Sequence, residues 1–181
     1  MPKPLYVLID RDGVINHESD AFIKSPDEWL PIAGSLEAIA LFNQHGYQVV
    51  VITNQSGIGR GLLDNAMLES IHSKMQKQAA EKNGLISRIY FCPHRPDEQC
   101  LCRKPKPGLI LRFASDTHAD LANTYFIGDS LRDIDAALAA GAKPILVKTG
   151  RGLDTLKQHP DINIPIFENL YDAASQITSR Q

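Results

Sequence analysis

Short apolar runs alternate along the chain with longer stretches of helical period. Leu5 to Ile9, Gln48 to Thr53, Arg88 to Cys92, Thr124 to Ile127 and Pro144 to Val147 are rich in Val and Ile and bounded by polar residues or Gly, the pattern of buried strands. Ile164 to Phe167 adds a candidate edge strand. Between these runs, Leu36, Ile39, Ala40 and Asn43 share one helical stripe that ends at Gly46. Leu68, Ile71, Met75 and Ala79 mark a second helix, with Asp64 as N-cap and a stop near Gly84. A third opens at Pro107, a residue favoured at the first helical position, and a fourth carries Ile134, Ala137 and Leu138 before Gly141. Strands and helices in strict alternation, with crossovers long enough for a helix, predict an α/β protein. Its sheet is doubly wound, mostly parallel and covered on both faces.

Composition narrows the class. The 181 residues are 43% hydrophobic and 22% charged, which fits one domain spanning residues 1–181. Nineteen Lys and Arg against 21 Asp and Glu give a net charge of −2, so no global basic field speaks for a nucleic-acid or membrane partner. No apolar run reaches the ~20 residues of a membrane span, and the start, Met-Pro-Lys-Pro-Leu-Tyr, lacks a signal-peptide profile. The expectation is a cytosolic monomer. Cys92, Cys100 and Cys102 are bunched and odd in number, which fits a metal site better than a disulfide framework.

In such sheets ligands bind beyond the carboxyl ends of the strands, and here those ends are polar. Strand one runs into Asp10-Arg11-Asp12-Gly13, strand two into Thr53-Asn54-Gln55-Ser56-Gly57, strand three into Cys92-Pro93-His94, and strand four into Gly128-Asp129-Ser130. All four meet on one rim. Alternation points Asp10 and Asp12 toward one site, and Asp129 joins them from another strand. Carboxylates gathered this closely repel one another unless a hard cation neutralises them, and oxygen ligands of this kind suit Mg²⁺. Thr53 and the loop from Asn54 to Gly61 bring a hydroxyl, an amide and glycine-rich backbone to a phosphate. Lys104, in Arg103-Lys104-Pro105-Lys106-Pro107, brings positive charge. Cys92-x-His94 and Cys100-x-Cys102 supply the ligand set of a closed structural Zn²⁺ site in a loop, 92–102, inserted after strand three. His17, His45, His72, His118 and His159 lack partner spacing and read as surface or helix positions, His17 alone falling in a loop that could cover substrate.

The set Asp10-x-Asp12-Gly13, Thr53, Lys104-Pro105 and Gly128-Asp129 with Asp133 resembles the four motifs of the haloacid dehalogenase superfamily of phosphohydrolases. Asp10 through Asn16, Thr53 through Gly57 and the cysteine loop with Arg103-Lys104-Pro105 are similar to its heptose-bisphosphate and histidinol-phosphate phosphatase group. The resemblance implies a Rossmann-like core and a phosphorylated sugar substrate. It implies removal of the 7-phosphate of a heptose 1,7-bisphosphate in lipopolysaccharide or heptose precursor synthesis, with histidinol phosphate as the alternative. Asp10 becomes the nucleophile, Asp12 the acid and base, and Thr53 and Lys104 complete the catalytic set. Asp10, the backbone carbonyl of Asp12, and Asp129 hold Mg²⁺, and Asp133 steadies them. Substrate contacts fall to Arg11, Ser19, Asn54, Gln55, Ser56, Arg103 and Ser130. Ser130 departs from the family pattern, which places a lysine there, and Arg103, Arg11 or Arg60 are the candidates to replace its charge.

Only roughly twenty residues separate Gly13 from Gly34, too few for a cap domain, so selectivity must come from loops such as His17 to Phe22 and the cysteine loop. Two other classes remain open at this point. A binding module would hold a phosphorylated ligand on the same rim without turnover, and a structural zinc module would leave the acids unused.

Overall fold

The computed structural model describes residues 4–179, so the first three residues of the segment read as lacking a leader profile lie outside the described residues. Six parallel strands form one sheet in the order β3-β2-β1-β4-β5-β6. They are β1 Leu5–Ile9, β2 Tyr47–Asn54, β3 Ile86–Cys92, β4 Tyr125–Gly128, β5 Lys143–Val147 and β6 Ile166–Phe167. The helices are α1 Ser35–Gln44, α2 Asn65–Glu81, α3 Gly108–Thr117, α4 Leu131–Ala140, α5 Gly152–Gln158 and α6 Leu170–Thr178. The order reverses direction between β1 and β4, which pair through Val7 with Tyr125 and Ile9 with Ile127. That switch point leaves a crevice beyond the strand ends.

Alternate residues of each central strand feed opposite cores. Val7, Ile9, Val49, Val51 and Ile127 pack with Ile39 and Phe42 of α1, Ile71 and Met75 of α2, and Ala173 and Ile177 of α6. Leu8, Val50, Ile52 and Phe126 pack on the other face with Ile110 and Phe113 of α3 and Ala136 and Ala137 of α4. Each Val, Leu, Ile, Phe or Met side chain among these, taken fully out of water, contributes about 1.5–3 kcal/mol, so the strand ends are fixed from both sides. Among the described residues no helix is long and apolar enough to cross a membrane.

Several local expectations are refined. The Asp64 carboxylate accepts from the Met67 N–H, as an N-cap should, and Gly141 closes α4 with φ 78°. Pro107 precedes α3 as its cap rather than opening it. Leu138 is 58% exposed, because the buried stripe of α4 runs through Asp133, Ile134, Ala136 and Ala137. The edge strand shrinks to Ile166–Phe167, since Pro165 offers its carbonyl to Leu146 but has no N–H to donate. Helices α5 and α6 were not anticipated, although α6 buries Leu170, Ala173, Ala174 and Ile177 at helical spacing with small alanines in the middle places.

Candidate active site

β1 ends at Ile9, and the Asp10 N–H still bonds the Ile127 carbonyl at 3.0 Å, so Asp10 leaves the sheet beside β4. The chain then turns tightly: the Arg11 carbonyl accepts from the N–H groups of Val14, Ile15 and Asn16, and Gly13 adopts φ 83°. At the end of β4, Ser130 caps α4, its N–H and hydroxyl both donating to Asp133 Oδ2 at 3.1 and 2.7 Å. This folds Asp133 back toward Asp10 and Asp129, so that these acids bring carboxylate oxygens within 4.8 Å of one another.

Lys104 answers part of that charge. Its ammonium lies 2.9 Å from Asp10 Oδ1 and 2.6 Å from Asp133 Oδ1, and donates to the Ile52 carbonyl at 3.0 Å. The Asn54 side chain clasps the Lys104 backbone from both sides, its Oδ1 accepting from the N–H and its Nδ2 donating to the carbonyl, each at 3.1 Å. Three acids against one lysine leave two negative charges over, the charge a divalent cation supplies. The crowding and burial shift the acids' pKa values. Burial, then Asp133, pushes Asp10 up to about 7, and burial, then Asp133 and Asp10, pushes Asp129 up to about 8. Burial opposes ionisation of Asp133 too, yet Lys104 and the Ser130 donors hold it below the usual carboxylate range. The oxygen donor set therefore fits Mg²⁺.

Asp12 sits differently. Arg11 Nε and Nη2 reach its Oδ1 at 3.2 and 2.9 Å, Asn16 Nδ2 donates to Oδ1 at 2.9 Å, and Gln55 Nε2 donates to Oδ2 at 2.8 Å. Burial raises its pKa, but Arg11, Asn16 and Gln55 together outweigh burial and hold it below the ordinary value. Around these groups lies a cleft of about 290 Å³ lined by Asp10, Asp12, Thr53, Ser56, Lys104 and Asp129 among others.

Comparison with known proteins decides the family. A HAD-hydrolase-like family model matches residues 101–173. The chain is 47% identical over 171 residues, 94% of its length and 98% of the relative's, to the D-glycero-beta-D-manno-heptose-1,7-bisphosphate 7-phosphatase of Pseudomonas putida. It is 51% identical over 152 residues, 84% of its length and 85% of the relative's, to the Bordetella bronchiseptica protein of that name. The crystal structure of the D,D-heptose 1,7-bisphosphate phosphatase from B. bronchiseptica, complexed with magnesium and phosphate, superimposes with a TM-score of 0.95 at 46% identity. That match covers 98% of this chain and 99% of the other. This chain belongs to the heptose 1,7-bisphosphate 7-phosphatase family of the haloacid dehalogenase superfamily.

In this member of the heptose-bisphosphate phosphatase family, Thr53, Ser19, Ser56, Asn54, Gln55, Arg103 and Ser130 all line the cleft with the acids and Lys104. Several are already engaged. Gln55 Nε2 serves Asp12 and Thr53 Oγ1, Ser130 donates to Asp133, and Ser19 Oγ accepts from the Ala21 N–H. Arg11 corrects an expectation: it is fully buried, does not line the cleft, and turns inward to Asp12 and to His72 Nε2, 3.2 Å away. The resemblance implied a substrate contact there, but the alternation that turns Asp10 and Asp12 to one site sends the residue between them into the core. His72 takes a helix position on α2, as expected, and is buried there. Burial, then Arg11, pushes its pKa down to about 3.

The fifth strand end was missed. Beyond β5, Thr149 Oγ1 donates to the Gly13 carbonyl at 2.7 Å, and the Arg151 N–H donates to Asp129 Oδ2 at 2.8 Å. A Cβ on Gly13 or Gly150 would stand 2.0 or 2.1 Å from Asp129 Oδ2, so two glycines shape that carboxylate's seat. Arg151 Nε also reaches Glu18 Oε1 at 2.7 Å, tying the loop after β1 to the loop after β5. Arg60 and Arg132 line the cleft, Arg60 lying over the Phe22 ring, while His17 lines an adjoining groove instead. Gly150-Arg151 carries no motif that would single it out. Only the count of strand ends pointed there.

The cysteine loop forms a second cluster. Cys92 Sγ lies 3.6 Å from Cys100 Sγ and 3.5 Å from His94 Nδ1, and Cys102 Sγ lies 3.2, 3.5 and 3.2 Å from Cys92, Cys100 and His94 Nδ1. These are five edges of a compact tetrahedron, too long for a disulfide of ~2.05 Å and sized for ligands about 2.0–2.3 Å from a central Zn²⁺. Arg103 Nη1 donates to the His94 carbonyl at 3.2 Å, joining the loop to the cleft.

Proposed function

We propose that this chain is a single-domain, Mg²⁺-dependent phosphomonoesterase that removes the 7-phosphate of a heptose 1,7-bisphosphate through an aspartyl-phosphate intermediate. The observation that carries the reading is the Lys104 ammonium bridging Asp10 and Asp133 while Asp129 stands alongside. Asp10, Asp129 and the Asp12 backbone carbonyl would hold Mg²⁺, which when bound neutralises carboxylate and phosphoryl charge. An Asp10 carboxylate oxygen attacks phosphorus and the ester P–O bond breaks; Asp12, a carboxylate in the free site, takes up a proton when the substrate's negative charge enters the cleft and gives it to the departing sugar oxygen. Asp12, now a carboxylate, takes a proton from water as the water oxygen attacks the phosphoryl group. The acyl phosphate bond breaks, returning the Asp10 carboxylate and releasing inorganic phosphate. Lys104 and the Thr53 hydroxyl stabilise charge spread over the phosphoryl oxygens.

The loops carrying Ser19, Ser56 and Arg103 contact the sugar, and the cysteine loop takes Zn²⁺, which pins Arg103 and Lys104. Three thiols at one metal also suit the reducing cytosol, where we place the enzyme, as a monomer. Phosphate release with Mg²⁺ present, compared between heptose 1,7-bisphosphate, histidinol phosphate and small sugar phosphates, tests the assignment. A clear preference for the heptose is expected. Preference for histidinol phosphate overturns the substrate, and binding without release overturns the reaction. Light scattering in solution tests the monomer.

A further inference from the structure

The mechanism leaves one buried basic pair unused. Arg11 has no exposed surface and carries a charge that needs partners. Its Nε and Nη2 take Asp12, leaving Nη1 to point away from the cleft toward α2, where His72 Nε2 stands 3.2 Å off. A guanidinium cannot accept, so His72 Nε2 must be the acceptor and the ring is the neutral tautomer protonated on Nδ1. His72 is 7% exposed, and its ring meets Phe91 of β3 edge-on, with centroids 6.2 Å apart. The ring therefore has one polar partner on Nε2 and one packed wall.

From this relay we infer that His72 is a positioning residue for the reaction: it fixes Arg11, and through Arg11 the angle at which the Asp12 carboxylate faces water. The inference rests on the function proposed above, in which Asp12 takes the proton from water. Asp12 Oδ2 has Gln55 and Arg11 Nη2 as donors, and Oδ1 has Asn16 and both Arg11 nitrogens. Without the His72 acceptor, Nη1 loses its only hydrogen-bond partner among the described residues, and the fork that grips Asp12 is free to rotate toward another. Proton removal from water tolerates little misplacement.

The test separates the two halves of turnover. An aryl phosphate such as p-nitrophenyl phosphate releases an aryloxide that needs no proton, so only hydrolysis of the phosphoenzyme then depends on Asp12. His72→Leu, keeping the volume without the acceptor, should lower kcat by about ten-fold and KM in step with it, so that kcat/KM stays within about two-fold. Phosphoenzyme should accumulate after acid quench, detected by intact mass. His72→Gln, whose amide oxygen can reach the Nε2 position, should stay within about three-fold of the parent and accumulate none. If His72→Leu melts early, His72→Asn, polar but too short to reach Arg11, replaces it. Parent-like turnover without the acceptor, loss of kcat without phosphoenzyme, or a glutamine variant as poor as the leucine one would each overturn the inference. No Mg²⁺-dependent turnover in the parent would instead overturn the proposed function.

Discussion

The acidic rim and the cysteine loop are both clusters of metal-ligand atoms, yet they are built on opposite plans. The loop draws its donors from eleven consecutive positions, 92–102, and closes them into a tetrahedron with no open place. The rim draws Asp10 from just beyond β1, Asp129 from just beyond β4, Asp133 from α4 and Lys104 from beyond the loop, and leaves their charges unbalanced. A closed cluster can only hold shape. An open, frustrated one holds the excess charge that binding a cation and a phosphoryl group relieves.

The sharpest way to break this contrast is at the nucleophile. Asp10→Asn should abolish phosphate release, by more than about 10⁴-fold, while the protein melts no lower than the parent, because the amide removes a carboxylate that burial and Asp133 disfavour. Residual turnover near the parental rate would mean that the rim is not where reaction occurs. Next comes the seat of Asp129. Gly150→Ala would put a methyl 2.1 Å from Asp129 Oδ2 at a residue with φ 56°, so the Mg²⁺ concentration for half-maximal activity should rise by about ten-fold or more. An unchanged Mg²⁺ titration would remove Asp129 from the metal site.

Smaller effects should come from the closed cluster. Cys102→Ser should release zinc, read with a colorimetric chelator, and lower kcat by about ten-fold or less. The loss should be partial because Asn54 grips the Lys104 backbone independently of the cysteines. Full activity without zinc would separate the loop from catalysis altogether. The mildest effect is on stability in Mg²⁺-free buffer. Asp10 at about 7 and Asp129 at about 8 lie above their unfolded value of 3.8, so the folded protein binds extra protons. The stability they contribute is full below pH 3.8 and lost as pH rises through 7 and 8. The melting temperature should therefore drop by several degrees between about pH 6 and 8.5, and Mg²⁺ should restore it. A pH-independent melt would mean that neither burial nor the neighbouring carboxylates raise Asp10 and Asp129.

The same contrast explains what could be read from residue order. The cysteine ligands are legible because their spacing is local, and Asp10 and Asp129 because each follows an apolar strand. Asp133 joined the acids only through the Ser130 cap, a fold-back that spacing suggests but does not aim. Arg11 was misplaced on its charge alone: the alternation that turns Asp10 and Asp12 to one site sends the residue between them the other way, into the core. Gly150 and Arg151 carry no distinctive chemistry, and their meeting with Gly13 and Asp129 exists only after β5 has been laid beside β4.

β3 is the outermost strand on its side of the sheet, and the sulfur-bound loop hangs from its end. With the loop contacting the sugar as proposed, recognition would be retooled by exchanging one contiguous stretch at the margin, while the strands in the middle would keep their reacting groups untouched. A fold arranged in this way resembles a lathe with an interchangeable chuck: the cutting edge stays put, and what is gripped depends on the fitting.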